Sequence, residues 1–407
     1  MSKILQNKYL VLFYFCTLAL IANLDRFILI PLIGPIKTDL GLSDQEVARA
    51  MMVFTYSFAL CAPLFGFLGD KFRRKPLIIG SLLLWSIASL GSGFSNVLIT
   101  LLMWRALVGA GEGVYSSLSP SWLDDTFRDK GKNFAFTMLA IIAPMGYSLA
   151  LILGGYISSL YDWRVAFFIS GIPGLVLVGL LFFLKEPNRD LSVKKNRDQV
   201  NLKDVLVLIK NPLFLLIILM DFLLEIGRGT ASFWGASYLQ RVYEISNISS
   251  SQFWGIVYLV FGSCGPLLAL FFVSKIAKKY GNKSYLIWTL ICTLFAIATT
   301  ALALITDQLG TAKFWFALSV MFVTASFALH VPFLFSIVPD KLKGTAVAVK
   351  VCLLTIFANM VITELVGYLS DQYTLAHAMW ISPIALALSF LVTLSIMLFY
   401  FKKNIVV

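Results

Sequence analysis

Nine ionisable side chains in long apolar stretches stand out as candidates: Asp25, Arg26, Arg105, Glu112, Asp221, Glu225, Arg228, His330 and Glu364. A charge inside a bilayer is costly, so each is a candidate for ion pairing, substrate binding or proton transfer. Asp25 and Arg26 are adjacent, and neighbours on a helix point about 100° apart. They cannot share a face, so each needs its own partner. Arg105 and Glu112 are seven apart, two helical turns, which puts both on one face about 10 Å apart. Pairing Asp25 with Arg105 and Arg26 with Glu112 would balance all four charges. Burial favours a neutral acid and a nearby guanidinium favours a carboxylate, so making or breaking such a pair moves a proton. An anionic substrate can compete for the arginine and release the carboxylate to be protonated. Asp25 and Glu112 are therefore expected to be the proton-responsive groups. Arg26 and Arg105 are expected to hold them or a substrate headgroup. The competing expectation is a static ion-pair network tying the two segments together.

Asp221, Glu225 and Arg228 follow i, i+4, i+7 spacing and share a face, with Glu225 and Arg228 close enough to pair locally. The small residues of Gly227-Arg228-Gly229-Thr230-Ala231 fit a locally broken helix at a gate or binding site. The alternative is a neutralised cluster with no role in transport. His330 is expected as a polar pore-liner that serves as a charge partner or substrate contact, without a proton role. Glu364 is expected to reach interfacial water. At the inner ends of the second and third apolar runs, Gly66, Gly69, Asp70, Arg73, Arg74 and Lys75 form a charged turn. Its carboxylate can accept from helix N-terminal amides or a facing arginine, contacts that would form in one conformer and break in the other.

The elements that must position these groups are membrane-spanning helices. Hydrophobic residues make up 59% of the 407 and charged residues 13%, against about 45–50% and about 25% in soluble domains. A span needs about 20 apolar residues. Such runs occupy residues 9–31, 47–69, 76–95, 97–122, 133–158 and 163–184, then 212–240, 252–274, 284–305, 313–338, 344–369 and 375–401. The first run continues past Arg26 without a small-residue cleavage site, so it is read as a retained span. The expectation is an all-α integral membrane protein of twelve transmembrane helices in two six-helix, pseudo-symmetric bundles. Residues 1–185 and 212–407 form the bundles, and 186–211 a cytoplasmic linker. A faint repeat supports two halves: Gly66–Lys75 recurs as Leu270–Lys279, with Ser274 where the first copy has Asp70.

The net charge of +12 is distributed as topology signals rather than as a nucleic-acid surface. With the N-terminus inside, cytoplasmic segments carry 25 Lys and Arg, among them Lys341, Lys343 and Lys350, and outer segments 5. That asymmetry predicts both termini in the cytoplasm. Cys16, Cys61, Cys264, Cys292 and Cys352 all lie in apolar runs without C-x-x-C spacing, which argues against a disulfide framework or a zinc site. With two histidines, no zinc spacing and no nucleophilic triad, an enzyme is not expected. Neither is a primary pump, since no phosphate-binding G-x-x-x-x-G-K-[ST] loop occurs. Twelve spans in two related halves favour a monomeric carrier over an oligomeric channel. No metal or other cofactor and no nucleic-acid partner is expected.

Several motifs carry a family resemblance. Gly66–Lys75 resembles the G-x-x-x-D-x-x-x-R-K signature of the major facilitator superfamily, and Arg105-Ala-Leu-Val-Gly109-Ala-Gly111 resembles its span-four motif. Pro144, Gly146 and Gly154-Gly155 loosely resemble its span-five motif, and Asp162-Trp163-Arg164 also looks familiar for it. That superfamily is a standing example of repeated halves around a midplane site. Within it, the chain most resembles spinster-like transporters. The resemblance rests on Leu24-Asp25-Arg26-Phe27, Ala62–Asp70, Leu84-Trp85-Ser86, Arg105–Ser116 and Lys185-Glu186-Pro187. Gly113 departs from it, family members generally having Ala there. The resemblance implies alternating access and proton-linked movement of lysolipid-like or other amphiphilic solutes, with the Asp-Arg and Arg/Glu sets as the coupling centre. The alternative resemblance is to organic anion:cation symporters, which move sugar acids and share the Asp-Arg and Arg with Glu. Ser119-Pro120 and Asp124-Asp125 look more spinster-like. Short termini point to a bacterial inner membrane.

Overall fold

The computed structural model describes residues 7–127, 132–187, 208, 210–339 and 342–400. Most of the linker expected at 186–211 lies outside the described residues. Among those described, the regular secondary structure is helical, with no strand. Ten helical segments are long and apolar enough to cross a membrane, from Lys8–Leu40 to Leu375–Leu398. Leu98–Thr126 and Pro212–Val242 are equally long but carry the internal charges Arg105 and Glu112, and Asp221, Glu225 and Arg228. With these two as the fourth and seventh, the spans among the described residues number twelve.

In chain order, span 1 is Lys8–Leu40, span 2 is Asp44–Lys71, span 3 is Arg74–Ser92, span 4 is Leu98–Thr126, span 5 is Lys132–Leu160 and span 6 is Trp163–Phe183. Span 7 is Pro212–Val242, span 8 is Asn247–Tyr280, span 9 is Lys283–Ile305, span 10 is Leu309–Phe335, span 11 is Thr345–Gln372 and span 12 is Leu375–Leu398. Local sequence sets their ends. Gly41 stops span 1 in the left-handed conformation, φ 65°, with its N–H donating to the Lys37 carbonyl. Ser43 and Glu46 open span 2 with a reciprocal capping box. Asp162 caps span 6 by accepting from the Arg164 amide.

The chain divides into two compact units. One comprises Met1–Lys194 and Leu239–Gly255, the other Lys195–Tyr238 and Ile256–Val407. The Leu239–Gly255 segment is held within the first by Arg241, which donates to the buried Asp44 carboxylate at 2.7 Å, and by Asn247, whose Nδ2 donates to the Pro31 carbonyl at 2.9 Å.

In the first unit span 4 is central, and its glycines make that packing close. A methyl on Gly109 would lie 2.2 Å from the Phe54 carbonyl oxygen of span 2, and one on Gly113 2.8 Å from the Phe58 carbonyl. Gly111, on the other side, backs onto Trp85 and Ser81 of span 3. Small residues replace a hydrophobic driving force where helices pack in lipid. Gly109→Ala is expected to destabilise the protein by about 1–3 kcal/mol through overpacking, read as a lower unfolding midpoint in detergent.

In the second unit two spans are irregular. Span 10 breaks after Phe327 and resumes at His330–Phe335. Pro332 supplies no N–H to the preceding turn, which accounts for the break. Span 11 contains two π-helical stretches, Leu354–Ala358 and Val361–Leu365. Such bulges concentrate at functional sites. Large apolar side chains such as Phe13, Leu60, Leu267 and Leu270 are exposed, as a lipid-facing surface requires.

Candidate functional site

Asp25, Arg26, Arg105 and Glu112 come together in the first unit. Arg26 Nη2 and Nε donate to Glu112 Oε2 at 2.9 and 3.1 Å. The Arg26 side chain is 25% exposed while that of Glu112 is fully buried. Glu112 Oε1 has no hydrogen-bond partner among the described residues. Aromatic faces surround the pair: the Arg26 guanidinium lies 4.4 Å from the Phe58 ring centroid, and that of Arg105 4.8 Å from Phe54.

The expected Asp25–Arg105 ion pair is not what forms. The Asp25 carboxylate accepts from Trp85 Nε1 at 2.9 Å and from the Ser89 and Ser170 hydroxyls, which belong to spans 3 and 6. Arg105 instead donates to the backbone carbonyls of Asp25 and Arg26, at 3.3 and 3.2 Å. The reason is local. Span 1 is interrupted at Ile28, and the last carbonyls before a helix interruption lack intrahelical donors. A buried guanidinium fills that role. Arg105 thereby ties span 4 to the interruption in span 1. Sequence reasoning missed the Asp25 donors, although Trp85 and Ser89 sit one turn apart in an apolar run. Trp85→Phe keeps a ring but leaves a buried carboxylate one donor short, a loss of about 1–3 kcal/mol. Thermal unfolding of the purified variant measures it.

The second unit holds another buried cluster. Asp221 is fully buried and contacts both His330 Nδ1 of span 10 and Lys350 Nζ of span 11. Two expectations are corrected here. Lys350, counted with the cytoplasmic charges, lies inside span 11 and is buried, because a buried carboxylate on span 7 compensates it. His330, expected as a pore-liner, is 1% exposed, with Nε2 3.2 Å from the Thr289 hydroxyl and its ring stacked on Phe327. Lys350 was legible within the apolar run 344–369, but a lysine near a basic turn reads as topology. Glu225 and Arg228 pair with each other, a turn beyond Asp221, with Arg228 one-third exposed. Glu364 is partly buried in the second π-helical stretch of span 11.

At the charged turn, Arg74 Nη1 bonds Asp125 at 2.6 Å and the Ser121 carbonyl at 2.8 Å. Lys75 Nζ donates to the carbonyls of Phe182 and Leu184. Glu186 accepts from the Arg74 amide at 2.8 Å and from the Lys75 amide at 3.3 Å, a carboxylate at the N-terminus of span 3. Arg73 is exposed, Gly66 lies in span 2 against Ser117, and the Asp70 side chain is outside the described residues.

The family model of the Major Facilitator Superfamily matches residues 15–351. Protein spinster homolog 1 of Xenopus tropicalis is 28% identical over 387 residues, 89% of this chain and 72% of that protein. Protein spinster homolog 3 of Danio rerio is 24% identical over 390 residues, 90% of this chain and 78% of that protein. A crystal structure of a bacterial homolog to the human lysosomal transporter Spinster, inward-facing and unoccupied, matches with a TM-score of 0.81 at 17% identity. The match covers 95% of this chain and 97% of that one. Twelve helical spans among the described residues, the family match and these relatives converge on one assignment: the chain is a multi-pass membrane transporter of the major facilitator superfamily, close to the spinster proteins.

Proposed function

We propose that this transporter couples proton movement to passage of an amphiphilic, lysolipid-like solute by alternating access, as a monomer in a bacterial inner membrane with both termini cytoplasmic. The observation that carries the proposal is the unequal exposure of the Arg26–Glu112 pair. Arg26 is reachable, Glu112 is not, and Glu112 Oε1 is unpartnered among the described residues. A phosphate or carboxylate that takes Arg26 strands a buried carboxylate, which is neutralised most cheaply by a proton. Binding of the anionic group and of one proton are thereby linked, and by reciprocity the proton favours binding of the anion. Phe54 and Phe58, which flank Arg26, offer apolar faces beside the headgroup contact, and this favours an amphiphile. The resemblance to spinster proteins supports the same reading.

Thermal unfolding of the purified protein with lysophospholipids, sphingoid lipids, sugar acids and small carboxylates, at pH 5.5 and 7.5, tests the substrate class. A ligand at a hundred times its Kd adds about 2.7 kcal/mol to the folded state. Stabilisation by lysophospholipids, stronger at pH 5.5 and lost in Arg26→Gln, is expected. Stabilisation by sugar acids alone would assign the chain to organic-anion transport.

A further inference from the structure

The Asp221–His330–Lys350 cluster sets one acid against two bases. Among the described residues Asp221 contacts only these two ionisable side chains. With one of the bases protonated the cluster is neutral; with both protonated it carries one uncompensated positive charge. All three residues are at most 3% exposed, and an unbalanced charge at that depth is strongly disfavoured. A second proton therefore demands a rearrangement that admits water or separates the bases.

The backbone is suited to that rearrangement. His330 is the first residue after the break in span 10, and Lys350 stands one turn before the first π-helical stretch of span 11. Phe327, the last residue before the break, links the bases: its ring stacks on His330 at 5.4 Å and lies 5.6 Å from Lys350 Nζ. Other polar groups converge from every neighbouring span. Span 7 brings Arg228, 6.0 Å from the Phe327 ring and already paired with Glu225. Span 8 brings the buried Tyr258 beside that pair. Span 9 brings the Thr289 hydroxyl, and span 12 the Ser389 hydroxyl, which donates to the Met220 carbonyl. Glu225 is already paired with Arg228, and none of the other groups named carries a negative charge to offset a second proton on the cluster.

We propose that the Asp221–His330–Lys350 cluster is a second proton-binding site, separate from the Asp25/Glu112 centre, at which His330 takes a proton from water and loosens spans 10 and 11 at the break and the bulges. The proton is gained and returned without bond rearrangement.

The chain has two histidines, His330 and His377, so the proposal can be tested without a transported substrate. In full-length protein labelled with 15N-histidine, His377→Gln leaves His330 as the sole imidazole signal. The expected result is a change of its protonation state between pH 5 and 8.5. Backbone hydrogen exchange over residues 326–338 and 350–366, corrected for intrinsic pH dependence, is expected to speed up about tenfold at pH 5.5 relative to pH 7.5. His330→Gln is expected to abolish that difference and Glu112→Gln to leave it intact. Should His330→Gln fail to fold, the double variant Asp221→Asn with Lys350→Met, which removes both buried charges together, must shift the pH at which exchange changes. An imidazole fixed in one state across the range would overturn the proposal. So would the same exchange difference in wild type and His330→Gln. Because neither readout involves Asp25 or Glu112, failure here leaves the proposed coupling centre standing, and the reverse also holds.

Discussion

Glu112→Gln is expected to cut pH-gradient-driven uptake into proteoliposomes by at least tenfold, about 1.4 kcal/mol of lost driving interaction, while leaving gradient-free exchange of the same solute in place. Glutamine imitates the protonated acid and cannot release a proton, so Arg26 loses the partner that makes anion binding and protonation one event. Unlike a destabilised core variant, this one should still bind ligand, because the side chain keeps its volume against spans 1 and 2. Asp25→Asn should behave similarly for a different reason. Its carboxylate is held by Trp85, Ser89 and Ser170 rather than by a cation, so amide substitution alters a hydroxyl network as well as a charge. Retention of full gradient-driven uptake in both variants would remove the coupling assignment.

Lys350→Met should produce the largest loss of stability, about 3–5 kcal/mol, the usual consequence of removing one partner from a buried ion pair. It leaves Asp221 buried with His330 as its only remaining counter-charge, and His330 can serve only when protonated. In this variant the folded state binds a proton that the unfolded chain releases at neutral pH, so stability should rise as pH falls. Unfolding in detergent should therefore show a greater deficit at pH 8 than at pH 5.5. Asp221→Asn combined with Lys350→Met removes both charges and should recover most of the loss. An unchanged midpoint for the single variant would mean that the pair is solvated and not buried.

Much of this was legible in the residues. Twelve apolar runs gave twelve spans because a bilayer leaves helices few alternatives. Arg26 and Glu112 were matchable because one helix can turn only one of two adjacent charges toward a given neighbour. The Asp25–Arg105 expectation failed because charge balance ignores the backbone: an interrupted helix exposes carbonyls that an arginine satisfies as well as a carboxylate can. Span 7 shows a different limit. It is apolar nearly all round, so spacing placed Asp221 on a face but could not say that spans 10 and 11 cover it. The break at Ala328–Leu329 had a visible cause in Pro332, whereas the π-helical stretches of span 11 left no mark in its composition. Grouping of Leu239–Gly255 with the first unit depends on tertiary contacts such as Asp44 with Arg241, charges that read from sequence as surface residues.

The most direct test of the proposed coupling is proton stoichiometry on ligand binding. Purified protein in weak buffer would be mixed with the best-stabilising lysophospholipid at pH 6.5 while bulk pH is followed with an indicator dye. Wild type is predicted to take up close to one proton per ligand bound, and Glu112→Gln to bind the ligand with none. Ligand binding with the same proton uptake in both proteins would contradict the account.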